Sequence, residues 1–221
     1  MELLQNIEIE TAPNPTVAVI WLHGLGADGN DFVPLVNELD LSGLPGIRFV
    51  FPHAKTMPIT INGGYVMRAW YDISGAELTR REDESGLRAS QRDVEALIAR
   101  EKARGIPASR IILAGFSQGC AMTLQTGMRH PEKLAGMLCL SGYLPLAGAV
   151  AGERTEESLA TPVFMAHGTH DNVVPFARAR ESKEALLALG YGVEWHEYPM
   201  QHSLCLEEVR DISAWIRKVL A

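Results

Sequence analysis

One short stretch limits what this chain can fold into more than any other: the pentapeptide Gly115-Phe116-Ser117-Gln118-Gly119. It follows an apolar run at residues 111–114 that is typical of a buried strand, and it precedes a stretch that predicts a helix. A serine at a sharp strand-to-helix turn has a strained backbone, and glycines two residues to either side leave room for that turn. The pattern is typical of a nucleophile elbow, but other glycine-rich turns match it, so the rest of the chain must supply the chemistry.

Predicted strands and helices alternate along the chain. Strands are predicted over residues 17–22, 47–51, 111–114, 134–140, 162–167 and 193–198, with an edge strand over 3–9. Helices are predicted over residues 83–104, 120–128, 176–189 and from 209 onward, with a short one over 31–39. Most of the strand runs are apolar throughout, which suits parallel strands covered on both faces. We therefore predict an α/β fold with a mostly parallel central sheet, helices on both faces and a single domain over residues 1–221.

Two segments lack a clear period. Residues 53–73 are interrupted by Pro58, Gly63 and Gly64, yet they carry many large apolar side chains. We expect this segment to pack over the sheet or to line a cavity. Residues 143–160 are predicted to be mostly loop, because proline and glycine recur in them.

Composition and charge argue against several classes of function. The net charge is −7, from 27 acidic and 20 basic residues, which disfavours a nucleic-acid surface and gives no attraction to an anionic membrane. The cysteines Cys120, Cys139 and Cys205 are scattered in apolar segments and are expected to be reduced core thiols. The first residues do not resemble a secretory signal, and no apolar run approaches the ~20 residues of a membrane span. We expect a cytoplasmic protein with no nucleic-acid partner and no stable membrane insertion.

A serine hydroxyl becomes a good nucleophile only beside a neutral imidazole, and that imidazole needs an acid to orient it. In parallel sheets such groups lie in loops at the carboxyl ends of strands. Asp171 follows the predicted strand at 162–167, and His202 follows the one at 193–198. We predict Ser117 as nucleophile, Asp171 as orienting acid and His202 as base, in the chain order Ser, Asp, His. Asp171 has an alternative interpretation as a helix cap or turn residue.

The other histidines offer further alternatives. His167 and His170 suggest metal ligands, but no second cluster has metal-site spacing, so neither a metal nor a cofactor is expected. His167 is expected to pack at the strand end, and His196 to be half-buried within its strand. His53 and His130 do not follow the proposed acid in the sequence.

Negative charge that develops on a carbonyl oxygen under attack needs backbone N–H donors. Gln118 offers one, at the start of a helix where the dipole also favours an anion. The second is expected from the loop His23-Gly24-Leu25-Gly26, with Leu25 the best candidate, because the glycines allow a close approach. Phosphate binding by this loop fits less well, since it matches neither of the common phosphate-binding glycine motifs. In this interpretation the Gln118 side chain is dispensable, and Phe116 packs at the strand end.

The combined motifs are more specific than any one alone. They are Leu22-His23-Gly24-Leu25-Gly26, Ala69-Trp70-Tyr71-Asp72-Ile73, the pentapeptide around Ser117, His167-Gly168-Thr169-His170-Asp171 and His202. In kind and order they resemble the α/β-hydrolase carboxylesterases of the phospholipase/carboxylesterase family, which are similar to acyl-protein thioesterases. The resemblance covers nearly the whole chain. The loop Ala27-Asp28-Gly29-Asn30-Asp31 is more similar to the small bacterial carboxylesterases than to the thioesterases of higher organisms.

This resemblance implies an α/β-hydrolase fold and the site roles already assigned from the residues. It implies hydrolysis of carboxylic esters through an acyl-enzyme on Ser117, with acyl-protein thioesterase or lysophospholipase activity on longer acyl chains as alternatives. It also implies that residues 53–73 border the acyl site. Dimers occur in the family, so a homodimer is a further expectation.

The acyl site is expected to be apolar, with Met57, Ile73 and Val174 as candidate pocket residues. Outside the enzymes, the chain could be a catalytically silent binding module on the same fold. The complete set of Ser117, Asp171 and His202 argues against that alternative.

Overall fold

The computed structural model describes residues 3–75 and 82–221. In these residues the strands are β1 (Asn6–Glu10), β2 (Val17–Leu22), β3 (Ile47–Pro52), β4 (Thr56–Ile59), β5 (Tyr65–Arg68), β6 (Ile111–Phe116), β7 (Gly136–Leu140), β8 (Val163–Gly168) and β9 (Val193–Tyr198). The α-helices are α1 (Glu84–Ala103), α2 (Gln118–Gly127), α3 (Ala147–Glu153), α4 (Phe176–Ala188) and α5 (Leu206–Leu220). Short 3-10 helices lie at Val33–Asn37, Thr60–Asn62, Ala108–Arg110 and Glu157–Ala160.

The central sheet has the strand order β1-β3-β2-β6-β7-β8-β9. Every neighbouring pair in it is parallel except β1 and β3, which are antiparallel. The mostly parallel α/β sheet and the edge position of β1 are therefore confirmed. Because β6 lies in the middle, its carboxyl end is flanked on both sides by the ends of parallel neighbours, where loops can converge.

The two faces of the sheet explain why its strands are apolar throughout. On β2, Ile20 packs in a cluster with Leu97 of α1, whereas Val19 packs in a cluster with Ile216 of α5. Successive side chains of one strand thus enter different halves of the core. Each fully buried Ile, Leu or Val contributes about 2 kcal/mol through the apolar surface removed from water.

Residues 53–73 differ from the sequence prediction. They contain the β4–β5 hairpin, in which Met57 pairs with Met67, and Gly63 and Gly64 form its turn with positive φ angles of 65° and 81°. The hairpin escaped prediction because Pro58 lies within β4, and proline argues against a strand unless the strand is at an edge. The two strands pair only with each other, outside the main sheet. The expectation that the segment packs over the sheet holds for Trp70 and Tyr71, which are buried.

Two smaller predictions also need correction. The helix expected over residues 31–39 is a 3-10 helix, Val33–Asn37, rather than an α-helix. The loop expected over 143–160 contains α3, whose Gly148 and Gly152 lower the helix propensity of the segment, so its sequence does not indicate a helix. The remaining helices and strands begin and end within a few residues of the predicted positions. No helix in residues 3–75 and 82–221 is both long and apolar enough to cross a membrane.

Glu208, in the first turn of α5, is a charged residue with no exposed surface. Burial raises the pKa of its carboxyl to about 8; the backbone of Cys205 favours the charged form but only partly offsets this effect. Neither carboxylate oxygen has a well-formed hydrogen bond among the described residues. The folded protein therefore keeps this carboxyl protonated at pH values where the unfolded chain has released the proton.

Between the ordinary glutamate pKa and about 8, the folded state binds the extra proton, so stability falls as pH rises. The expected slope from this one group is about 1.4 kcal/mol per pH unit. Glu208→Gln keeps the shape and cannot ionise, so its advantage over wild type in the free energy of unfolding should grow from pH 5 to pH 8. Urea denaturation at several pH values measures this, with the exposed neighbour Glu207→Gln as control. A constant difference over that range would contradict the assignment.

Candidate active site

The turn between β6 and α2 has the geometry that the pentapeptide predicts. Ser117 lies between the last residue of β6 and the first of α2, with φ 55° and ψ −119°, a conformation that side-chain-bearing residues rarely adopt. A Cβ on Gly119 would lie 2.0 Å from the Leu22 carbonyl oxygen, and one on Gly115 would lie 2.2 Å from the Gly119 carbonyl oxygen. Both glycines are therefore required by close backbone contacts, as expected.

The structure brings together the three residues predicted to form the catalytic set. His202 Nε2 lies 2.9 Å from Ser117 Oγ, and His202 Nδ1 lies 2.6 Å from Asp171 Oδ2. In the tautomer that carries its proton on Nδ1, His202 donates a hydrogen bond to Asp171, and its Nε2 accepts one from the Ser117 hydroxyl. The arrangement can therefore remove a proton from Ser117 and hold the resulting imidazolium beside a carboxylate.

The two oxygens of Asp171 have different partners. Oδ1 accepts hydrogen bonds from the Val173 and Val174 N–H groups, at 2.8 and 2.9 Å, so Asp171 is also the turn residue of the alternative interpretation. Oδ2 faces His202 and also lies 3.3 Å from His167 Nε2. His167 is buried at the end of β8, as expected, and burial lowers the pKa of its imidazole. These contacts fix the carboxylate in one orientation.

Close backbone packing holds the His202 loop against the Asp171 loop. The His170 N–H donates to the Met200 carbonyl at 3.1 Å, and a Cβ on Gly168 would lie 2.4 Å from that same oxygen. The Phe116 ring lies against the His202 ring, with centroids 4.7 Å apart. Phe116 thus packs at the strand end, as predicted, and supports the imidazole.

The competing histidines lie elsewhere. His196 is half-buried in β9, where it contacts Glu194 and Asp211 side chains. His53 Nδ1 accepts from the Gly29 N–H at 3.1 Å, and His130 is buried beyond the carboxyl end of α2, with its Nε2 3.9 Å from the Glu132 carboxylate. Within residues 3–75 and 82–221, no group of three His, Cys, Asp or Glu side chains is arranged to hold a metal ion.

The two predicted N–H donors flank the serine. Gln118 is the first residue of α2, and Leu25 lies in the loop after β2; both line the cavity that contains Ser117. Among the hydrogen bonds of the described residues, neither the Leu25 nor the Gln118 backbone N–H has an acceptor. Backbone N–H groups left open beside a nucleophile suit an oxyanion.

A small apolar cavity of about 80 Å³ adjoins Ser117. It is lined by Leu25, Tyr71, Ile73, Ser117, Gln118, Tyr143, Val173 and Val174. Of the predicted pocket residues, Ile73 and Val174 line this cavity. Met57 does not line it; Met57 lies opposite Met67 in the β4–β5 hairpin, which the sequence analysis did not predict.

Sequence reasoning missed two tyrosines of this cavity. The hydroxyls of Tyr71 and Tyr143 lie 2.8 Å apart, and burial raises the pKa of both phenols. Tyr71 lies in residues 53–73, where the absence of a clear hydrophobic period gave no position for individual side chains. Tyr143 comes three residues after β7, and an aromatic residue so close to a strand end next to β6 was the signal that could have found it.

The expectation that the Gln118 side chain is dispensable does not match the structure. Its amide makes two hydrogen bonds in the interior, one to the N–H of Trp70 and one to the carbonyl of Tyr71. The resemblance places residues 53–73 at the border of the acyl site, but no local pattern in the sequence assigns a partner to the Gln118 side chain.

The family model described as phospholipase/carboxylesterase matches residues 5–220. This chain belongs to that family. It is 41% identical to acyl-protein thioesterase 1 of Neurospora crassa, covering 93% of this chain and 87% of the relative. It is 38% identical to acyl-protein thioesterase 1 of Yarrowia lipolytica, covering 92% of each. Membership in the phospholipase/carboxylesterase family makes the protein a hydrolase.

Solved structures give the same fold. The crystal structure of Arabidopsis thaliana SOBER1 superposes with a TM-score of 0.88 at 32% identity, covering 93% of this chain and 99% of that one. The α/β-hydrolase fold expected from the sequence is confirmed by this likeness and by the order of the strands.

The close approach at the elbow gives a direct test. Gly119→Ala places a methyl group against the Leu22 carbonyl, so we expect it to lower the free energy of unfolding by at least about 3 kcal/mol, or to prevent folding. Gly148→Ala, in α3, is the control, because a Cβ there meets no atom within 4 Å. Thermal and urea denaturation compare the two. Equal stability of the two variants would show that the turn relaxes more easily than its geometry indicates.

Proposed function

We propose that this hydrolase is a serine carboxylesterase that cleaves carboxylic esters through an acyl-enzyme on Ser117. The observation that supports it most is the pair of hydrogen bonds that runs from Asp171 through His202 to Ser117, beside an apolar cavity. No cofactor is needed for this chemistry.

In the first half of the reaction, His202 Nε2 takes the Ser117 hydroxyl proton as Oγ attacks the carbonyl carbon of the ester. The new C–O bond converts the carbonyl oxygen to an oxyanion, which the N–H groups of Leu25 and Gln118 bind. The oxyanion then collapses, the bond to the alcohol oxygen breaks, and the alcohol leaves with the proton from His202.

In the second half, water attacks the acyl-enzyme by the same route. His202 takes a proton from the water as its oxygen bonds to the acyl carbon. The carboxylic acid leaves as the proton returns to Ser117 Oγ. Asp171 accepts the hydrogen bond from His202 Nδ1–H and stabilises the imidazolium that forms twice per cycle.

The cavity favours a short acyl group. Its volume of about 80 Å³ is small, and its lining includes Tyr71 and Tyr143, whose hydroxyls are hydrogen-bonded to each other. An acyl chain of a few carbons can fill such a space, whereas a long chain must extend beyond it. Removal of each methylene from water contributes about 0.8 kcal/mol, so the preference should rise with length only until the cavity is full.

Thioester hydrolysis is the second candidate, because the fungal relatives are named acyl-protein thioesterases. A thiolate leaves more easily than an alkoxide, and the same three side chains perform the same proton transfers on either bond. Lysophospholipase activity differs in the leaving group and in the long acyl chain it requires.

Ser117→Ala should lower kcat on p-nitrophenyl acetate by about a thousandfold or more, since it removes the attacking oxygen. Ser42→Ala is the control, because Ser42 is exposed in the turn that leads into β3, at the opposite end of the sheet. Wild type should also gain the mass of a fluorophosphonate probe, and Ser117→Ala should not. Retained activity in Ser117→Ala would rule out this nucleophile, and an unlabelled, inactive wild type would favour a silent binding module.

A series of p-nitrophenyl esters from acetate to palmitate tests the acyl preference. We expect kcat/KM to be highest for acyl chains of about two to four carbons and to fall at least tenfold beyond, because the 80 Å³ cavity is then full. Oxygen and sulfur esters of one acyl group, compared in the same assay, separate esterase from thioesterase preference. A kcat/KM that rises steadily to palmitate would contradict the short-chain assignment.

A further inference from the structure

The Gln118 side chain bridges two parts of the site that are far apart in sequence. Its Oε1 accepts a hydrogen bond from the Trp70 N–H at 2.9 Å, and its Nε2 donates to the Tyr71 carbonyl at 2.7 Å. Only 3% of the residue is exposed, so water cannot replace these bonds easily. A buried amide of this kind fixes the elbow relative to the chain segment that carries the cavity residues Tyr71 and Ile73.

The same network continues to the other side of the serine. The Trp70 indole Nε1–H donates to the His23 carbonyl at 2.8 Å. The His23 ring is held in turn: its Nε2 accepts from the Ala54 N–H at 3.0 Å, and its Nδ1–H donates to the Gly24 carbonyl at 2.7 Å. Burial lowers the pKa of His23, which agrees with a neutral ring in this tautomer.

These contacts connect the two proposed oxyanion donors. One end of the network is the side chain of Gln118, and the other end is Gly24, the residue before Leu25. Oxyanion donors act only when both lie about 3 Å from the developing charge, and a displacement of about 1 Å can lower the rate about a hundredfold. A group that sets the spacing between the two loops therefore controls the rate without touching the substrate.

We propose that the Gln118 side chain is a positioning residue that sets the spacing of the two oxyanion N–H groups through Trp70 and His23. The inference rests on the proposed function of Ser117. The backbone N–H of Gln118 binds the oxyanion, and its side chain holds the opposite loop in place. A substitution at Gln118 changes the side chain and keeps the backbone N–H, so the two roles can be tested separately.

Gln118→Met tests the proposal because it keeps the length of the side chain and removes both polar atoms. We expect kcat to fall about ten- to a hundredfold with KM little changed, since the oxyanion forms after substrate binding. Gln125→Met is the matched control. Gln125 is a buried glutamine two turns further along α2 whose side chain contacts Gln91 rather than residues 69–73.

Gln118→Glu tests the proposal through the pH dependence of kcat, which a change in packing alone would not alter. As a neutral acid, its carbonyl accepts from Trp70 and its O–H donates to the Tyr71 carbonyl, so both hydrogen bonds are kept. Once ionised, it cannot donate to the Tyr71 carbonyl, so one of the two hydrogen bonds to residues 69–73 is lost. The ratio of its kcat to that of wild type should therefore fall about tenfold per pH unit above the pKa of the new carboxyl, which burial raises. Gln125→Glu should keep a constant ratio over the same pH range.

The outcomes separate this proposal from the one on which it rests. If Ser117→Ala is inactive but Gln118→Met keeps wild-type kcat, the positioning role is wrong and the proposed function stands. If Ser117→Ala is active, the proposed function fails irrespective of the Gln118 variants. If Gln118→Met does not fold, the Gln118→Glu ratio decides, and a ratio that does not change with pH overturns the proposal. Melting temperatures measured at each pH ensure that only folded protein is compared.

Discussion

The contact on which the site depends is the approach of the Gly119 backbone to the carbonyl end of β2. No Cβ fits between Gly119 and the Leu22 oxygen, so the start of α2 lies directly against the strand that neighbours β6. The loop after β2 is consequently held beside the serine, and a Cβ on Gly24 would lie only 3.4 Å from Ser117 Cβ. The strained Ser117 backbone persists because strand pairing and this contact determine it from both sides.

Close contacts also fix the groups on the other side of the elbow, Asp171 and His202. Asp171 holds its own turn with one oxygen and faces His202 with the other, so the turn that positions the acid does not compete with its electrostatic role. The Phe116 ring packs against the imidazole of His202. Because these groups are fixed by backbone contacts and packed rings, the proposed mechanism needs little reorganisation when the imidazole becomes charged.

The strands and helices that could be predicted are those whose hydrophobic pattern in the sequence matches the side chains that are buried in the fold. The apolar runs of β2 and β6 are buried on both faces, and the stripe of α1 faces one side of the sheet, so periodicity alone located them. The β4–β5 hairpin and α3 could not be located in this way. The first contains a proline and pairs only with itself, and the second contains two glycines, so tertiary packing overrides the local preference in both.

The sequence by itself determined the alternation of the main-sheet strands with their helices and the need for glycine around Ser117, and it singled out Asp171 and His202 as candidate acid and base. These conclusions follow from local sequence patterns, which do not depend on contacts with distant residues. Only the tertiary structure decided that Tyr71 and Tyr143 line the cavity, that Met57 does not, and that the Gln118 amide joins the elbow to residues 69–73. Such contacts join residues far apart in the chain, and their geometry exists only once the sheet and its loops have packed.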